Sequence, residues 1–343
     1  MNARVVSLAW TVLCLVALGG CASKATPEQA QAPTETQESK KPFTITMIAK
    51  SSNNPVFLAA RTGAEAAAKE LSGRVGREIK IDWRTPPTED GQVQAQRIAQ
   101  AVAAGTDAIL ISCSDAAKVT GAIDDAVGKG VPVMTFDSDA PASKRFAFYG
   151  TDDADAGKRV MDELAAQLGG KGTIAILAGN QNAPNLQKRA QAVRDRAKEY
   201  PNIVIVDTFY HVETPQEATK AVLGAMSANP SINGWAMVGG WPLFATTLLT
   251  DLDPSRVKIV AVDCLPAQMA YVEKGVAPVL LAQPTYEWGH TSVNLMVDKL
   301  LMKKDIAQVN KMELVKVTSA NLNDWGKQLQ KGGFSDVDPK YLQ

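Results

Sequence analysis

The chain has 343 residues, with 36 Lys and Arg balanced by 36 Asp and Glu, two His and four Cys. Balanced, unclustered charge leaves no electrostatic footprint for nucleic acid. There is no Cys-x-x-Cys and the histidines, His211 and His290, are far apart, so no metal-site spacing is present and neither metal nor cofactor is expected.

The first predicted element is an export signal. Asn2-Ala3-Arg4 gives a short positive start, Val5 to Leu18 an apolar run, and Gly19-Gly20 small residues before Cys21. That is the layout of a secretion signal, and the apolar run is short for a membrane span. Leu18-Gly19-Gly20-Cys21 resembles a lipobox. The resemblance implies cleavage after residue 20 and lipidation of Cys21, which would anchor an exported protein to a membrane, in the periplasm or at the cell surface. Residues 21–41 are polar and rich in Pro, Gln, Thr and Glu, without apolar periodicity. They read as a flexible linker, because so little apolar surface cannot repay ordering.

From Phe43 onward short aliphatic runs alternate with segments of helical spacing. Strands are expected over 43–49, 79–83, 108–113, 131–136, 147–150, 173–178, 203–208, 234–238, 257–263 and 278–282. Helices are expected over 56–71, 91–103, 115–127, 155–168, 185–200, 215–228 and 286–302. Most strand runs are uniformly apolar, as in parallel strands buried on both faces. Ten strands and about 300 residues suit two similar doubly wound parallel-sheet α/β domains better than one sheet. Cys113 and Cys264 lie in apolar strand positions and read as small buried thiols rather than a disulfide.

In open parallel sheets ligands bind beyond the carboxyl ends of the strands. The polar residues there include Lys50 and Asn54 after the first strand, Asp137 and Asp139 after the fourth, Asn180 and Asn182 after the sixth, and Asp263 and Gln283 later. Carboxylates accept hydroxyl hydrogens, amides both donate and accept, and cations donate to ring oxygens, so the set suits a hydroxyl-rich ligand. Phe57, Trp83, Tyr210 and Trp241 are the aromatic candidates nearby. Each residue also has a plainer reading. Asn54 before Pro55 suits a helix cap, Lys50 a rim charge, Arg189 a solvated helix face, Gln283 a hinge bond and Trp241 core packing. Trp83, Trp235 and Trp288 read as core or hinge packing, and His211 as an ordinary loop residue.

MIAKSSNNPVFLAAR (47–61), VPVMTFD (131–137), KRAQAV (188–193), and IVAVD followed twenty residues later by AQP resemble the type I periplasmic sugar-binding proteins of the ribose and galactose class. The resemblance covers about 43–318. It implies two domains joined by a three-segment hinge, a sugar bound between them, and delivery to an ABC permease with its ATPase, with no chemical step. It also implies site roles for Asn54, Phe57, Asp137, Arg189, Asp263 and Gln283. Val56, Ser138 and Gly239 depart from the ribose pattern. Lys50 and Asp137-Ser138-Asp139 resemble a branch that binds autoinducer-2 or rhamnose, and Trp241 completes the candidate set.

The expected N-terminal lobe is 42–151 plus 284–312, and the C-terminal lobe 152–283 plus 313–320. An extension over 321–343 has no functional reading. A monomer is expected. The alternative role is a ligand-sensing receptor for a chemoreceptor or sensor kinase. An enzyme is disfavoured because carboxylates two residues apart, such as Asp137 and Asp139, cannot flank a glycosidic bond.

Overall fold

A computed structural model describes residues 41–343. The signal, Cys21 and nearly all of the linker lie outside the described residues. The chain runs through β1 (Phe43–Ile48), α1 (Pro55–Val75), β2 (Ile79–Trp83), α2 (Gly91–Ala103), β3 (Ala108–Ile111), α3 (Ala116–Gly128), β4 (Val133–Phe136) and β5 (Ala147–Thr151). It continues through α4 (Asp153–Gln167), β6 (Gly172–Gly179), α5 (Pro184–Ala197), β7 (Ile203–Tyr210), α6 (Pro215–Ala228) and β8 (Gly234–Met237). The remainder comprises β9 (Lys258–Val262), α7 (Pro266–Glu273), β10 (Val279–Ala282), α8 (Thr285–Leu300), β11 (Val309–Met312), β12 (Val315–Val317) and α9 (Leu322–Lys331).

Two six-stranded sheets result. The first has order β2-β1-β3-β4-β5-β11 and is wholly parallel. The second has order β7-β6-β8-β9-β10-β12, parallel except for β12, which runs against β10. The orders correspond strand for strand, so each sheet reverses its winding at its second strand, beside β1 in one and β6 in the other. That reversal opens a crevice at the carboxyl edge.

The chain passes between the sheets three times: after β5, after β10 and between β11 and β12. Helices cover both faces of the first sheet, α1 and α8 on one side and α2 and α3 on the other. The β3 and β4 residues are all buried, which accounts for their unbroken apolar sequence. Gly63 of α1 and Gly289 of α8 let those helices touch. A Cβ on Gly289 would lie 1.8 Å from the Ala60 carbonyl oxygen, and one on Gly63 2.0 Å from that of Tyr286.

Residues beyond 320 complete the second core. Leu322, Trp325 and Leu329 of α9 are buried in it with Val337 and Tyr341, and Trp325 Nε1 donates to the Cys264 carbonyl at 2.7 Å. Cys113 and Cys264 are free and buried, and burial raises both thiol pKa values. None of the described helices is long and apolar enough to cross a membrane.

Candidate functional site

The carboxyl edges of the two sheets face each other, and polar side chains from both meet there. Asp137 follows β4 and Asp263 follows β9, corresponding positions in the two sheets. Both have left-handed backbone, φ 54° and 77°, a conformation uncommon for residues other than glycine and concentrated at functional sites. The backbone N–H of each is tied to the next strand: Asp137 to the Tyr149 carbonyl at 3.1 Å, Asp263 to that of Leu281 at 3.0 Å. The bend turns each carboxyl inward.

Around Asp137, Ser112 Oγ donates to Oδ2 at 2.7 Å and Asn185 Nδ2 to Oδ1 at 3.1 Å. Lys50 Nζ lies 3.9 Å from Oδ2 and donates to Asn185 Oδ1 at 3.4 Å. Lys50 and Asp137 belong to the first sheet's edge and Asn185 to α5 of the second, so these bonds cross the cleft. Burial alone pulls the Lys50 pKa down, but Glu213, Asp137 and Glu89 outweigh it, and the ammonium is held charged above its ordinary value.

A second cluster gathers on Arg189 of α5. Its Nε donates to Asp153 Oδ1 at 2.8 Å, Nη1 to the Val238 carbonyl at 3.1 Å and Nη2 to Gln283 Oε1 at 2.9 Å. Gln283 Nε2 donates to Asp263 Oδ1 at 2.7 Å, and Thr151 Oγ1 donates to Gln283 Oε1 at 2.7 Å. Thr151 and Gln283 stand at two of the crossings, so this second cluster ties cleft side chains to the hinge. Arg189 is 2% exposed rather than solvated. Burial raises Asp153 to about 6 even against the Arg189 guanidinium. Burial likewise raises Asp263, against its bond from Gln283, the nearby guanidinium and the Gly240 N–H.

Other expected residues are placed differently. Asn54 caps α1, its Oδ1 accepting from Val56 N at 3.2 Å, while also lining the cleft. Phe57 lies inside the first core, stacked on Trp288 at 5.9 Å and edge-on to Phe136 at 6.5 Å, and offers no ring to the cleft. Asp139 is consumed by its own lobe. Arg145 grips both its oxygens, Thr135 Oγ1 donates at 2.6 Å and Ala140 N at 2.8 Å. Trp241 is wedged against Gly179 and Gly239, where added Cβ atoms would come within 2.6 and 2.5 Å of its ring. His211 packs edge-on to it at 4.9 Å and lines the cleft, not an ordinary loop.

Sequence reasoning missed Asn185, Ser112, Thr151 and Asp153, and also Glu89 and Glu213 in the loops after β2 and β7. All of them lie at a strand's carboxyl end, in the loop after it, or in the first turn of the helix that follows. The signal was present at Glu89, which follows β2 as Lys50 follows β1. Outside the polar network the cleft opens into a cavity of about 910 Å³ lined from both lobes. Among the described residues no group of three or more His, Cys, Asp or Glu could hold a metal ion.

Two like-wound α/β lobes, three crossings and facing polar strand ends define a two-lobed binding fold. The chain belongs to the periplasmic binding protein family: the periplasmic binding protein domain matches residues 45–304. It is 30% identical over 179 residues to the ribose import binding protein RbsB of Bacillus subtilis, 52% of this chain and 53% of that one. It thus spans about half the length of that curated relative. The Escherichia coli ribose import binding protein is 22% identical over 265 residues, 75% of this chain and 84% of that one.

Among solved structures, GanP, a glucose-galactose binding protein from Geobacillus stearothermophilus, superposes with a TM-score of 0.76 at 25% identity. The match covers 82% of this chain and 99% of that one. A solute-binding protein from Burkholderia graminis in complex with D-arabinose gives 0.76 at 23% identity, over 83% and 98%. The doubly wound two-sheet α/β fold is therefore that of the type I periplasmic binding proteins.

Proposed function

We propose that this protein binds a small sugar or sugar-like polyol between its lobes outside the cytoplasm and delivers it to an ABC permease and its ATPase, without chemical change. The lobes would be 42–151 with 284–312 and 152–283 with 313–320, the residues after 320 belonging with the second. Cys21 would carry lipid that holds a monomer near its permease.

One observation carries the reading: two adjoining polar clusters, Lys50–Asp137–Asn185 across the lobes and Arg189–Gln283–Asp263 at the hinge, line the cleft. Hinge closure brings such groups around a ligand, and a hydroxyl-rich one would use their mixture of acceptors and donors. Relatives named as ribose, xylitol and D-apiose binding proteins support that ligand class.

The test is a thermal-shift and calorimetric screen of residues 41–343 with pentoses, hexoses, deoxysugars, polyols and autoinducer-2. A stabilising hit is expected that vanishes in Asp137→Ala and in Asp263→Ala. A hit that survives both substitutions overturns this placement of the site.

A further inference from the structure

We propose that the outer cleft is built for a protonated amine, so that the ligand is an amino sugar or amino polyol. The inference rests on the sugar-binding reading and narrows its ligand class.

Glu89 comes from the first lobe and Glu213 from the second, and both line the cavity. Asn180 holds both, its Nδ2 donating to Glu89 Oε2 at 3.4 Å and its backbone N–H to Glu213 Oε1 at 3.3 Å. Among the described residues neither carboxyl has a cation within ion-pair distance. Lys50, the nearest buried ammonium, makes its contacts with Asp137 and Asn185 and reaches both glutamates only through its longer-range charge.

The other acids on the rim are already used. Asp90 caps α2, and Asp115 caps α3 beside an exposed Lys118 at 3.8 Å. Setting aside the rim groups Asp90, Asp115 and Lys118, Lys50 and Arg189 face five carboxylates: Asp137, Asp153, Asp263, Glu89 and Glu213.

A second observation points to a bound group. Ser114 lines the same cavity at 1% exposure, and among the described residues its hydroxyl has no partner. A buried polar atom left unpaired is costly unless a ligand completes it. His211, beside Glu213, directs Nδ1 to the Val212 carbonyl at 2.8 Å and leaves Nε2 without a partner among the described residues. With Nδ1 as the donor, Nε2 is an acceptor.

The outer chamber therefore has an excess of acceptors and of negative charge. A neutral hydroxyl offers one donor and leaves Glu89 protonated. An ammonium offers three donors and a full charge, which lets both carboxyls ionise. In that event the proton held by Glu89 is released to solvent as the amine binds.

The experiment is titration calorimetry at pH 7.5 with matched pairs: D-glucosamine and D-glucose, D-galactosamine and D-galactose, D-mannosamine and D-mannose. It is repeated in buffers of different ionisation enthalpy. At least one amine should bind roughly tenfold or more tightly than its neutral partner, with proton release. In the double variant Glu89→Gln, Glu213→Gln that ratio should fall to within about threefold. If neutral sugars bind and no amine is preferred, the inference fails and sugar binding stands. An amine preference that survives the double variant also overturns it. Should neither amines nor neutral sugars bind in this assay or in the wider screen, both readings fall together.

Discussion

Arg189 is the residue on which the interior electrostatics turn. It is buried with Asp153, and its guanidinium also serves the Val238 carbonyl and Gln283. Removing one member of a buried pair leaves the other uncompensated, at about 3–5 kcal/mol, whereas removing both charges costs less. Arg189→Met is therefore expected to lower stability to urea by about 3 kcal/mol. Adding Asp153→Asn should recover more than half of that loss. An equal or larger loss in the double variant would show that the pair is not what Arg189 supports. Position and chemistry made Asp137, Asp263, Lys50 and Gln283 legible, because strand ends of a parallel sheet are where ligands sit. What lies opposite them was not legible. That Asn185 bonds Lys50 and Asp137 depends on contacts 135 and 48 positions apart in the chain. Asp139 misled for the same reason, since its partner Arg145 is chosen by packing rather than spacing.

At the scale of elements the α1–α8 crossing shows how glycine placement builds a lobe from distant segments. Gly289→Ala would put a methyl 1.8 Å from the Ala60 carbonyl oxygen, and overpacking of this kind costs about 1–3 kcal/mol. A fall in Tm of about 2–10 °C is expected. Gly73→Ala in the same α1 meets nothing within 4 Å and should leave Tm unchanged or raise it through helix propensity. Equal effects from the two substitutions would mean that the crossing tolerates separation. All ten strand runs and seven helices were readable because each apolar stretch is bounded by a turn or cap signal. The strands missed were β11 and β12, short and half-exposed edge segments carrying Lys311 and Lys316. Helix α7 has only eight residues. Helix α9 buries Leu322, Trp325, Gly326 and Leu329, a spacing visible in the sequence whose destination, the second core, was not.

The whole molecule is coupled to pH through Glu89. Burial first, then the facing Glu213, push its carboxyl from 4.5 to about 8, against the pull of Lys50 and of the Asn180 hydrogen bond. The folded protein thus holds a proton on Glu89 that the unfolded chain has lost by pH 7. Stability must then fall as pH rises wherever the native state binds more protons. This contribution is fully present below 4.5 and is lost as pH passes through about 8. Burial lowers the His211 pKa, so His211 acts in the opposite sense, but only near and below 6.5. Asp153, raised to about 6, adds to the acid side below that value. Between pH 8.5 and 7 the Glu89 carboxyl is therefore the group to watch, and Tm of the unliganded protein should rise as pH is lowered across that window. Glu89→Gln carries a permanent neutral side chain and should flatten the profile there. A wild-type Tm that stays level or falls over this window, or a slope that persists in the variant, would show that closure does not bring the two carboxyls together. Because one carboxyl belongs to each lobe, the proton taken up is a measure of lobe closure itself.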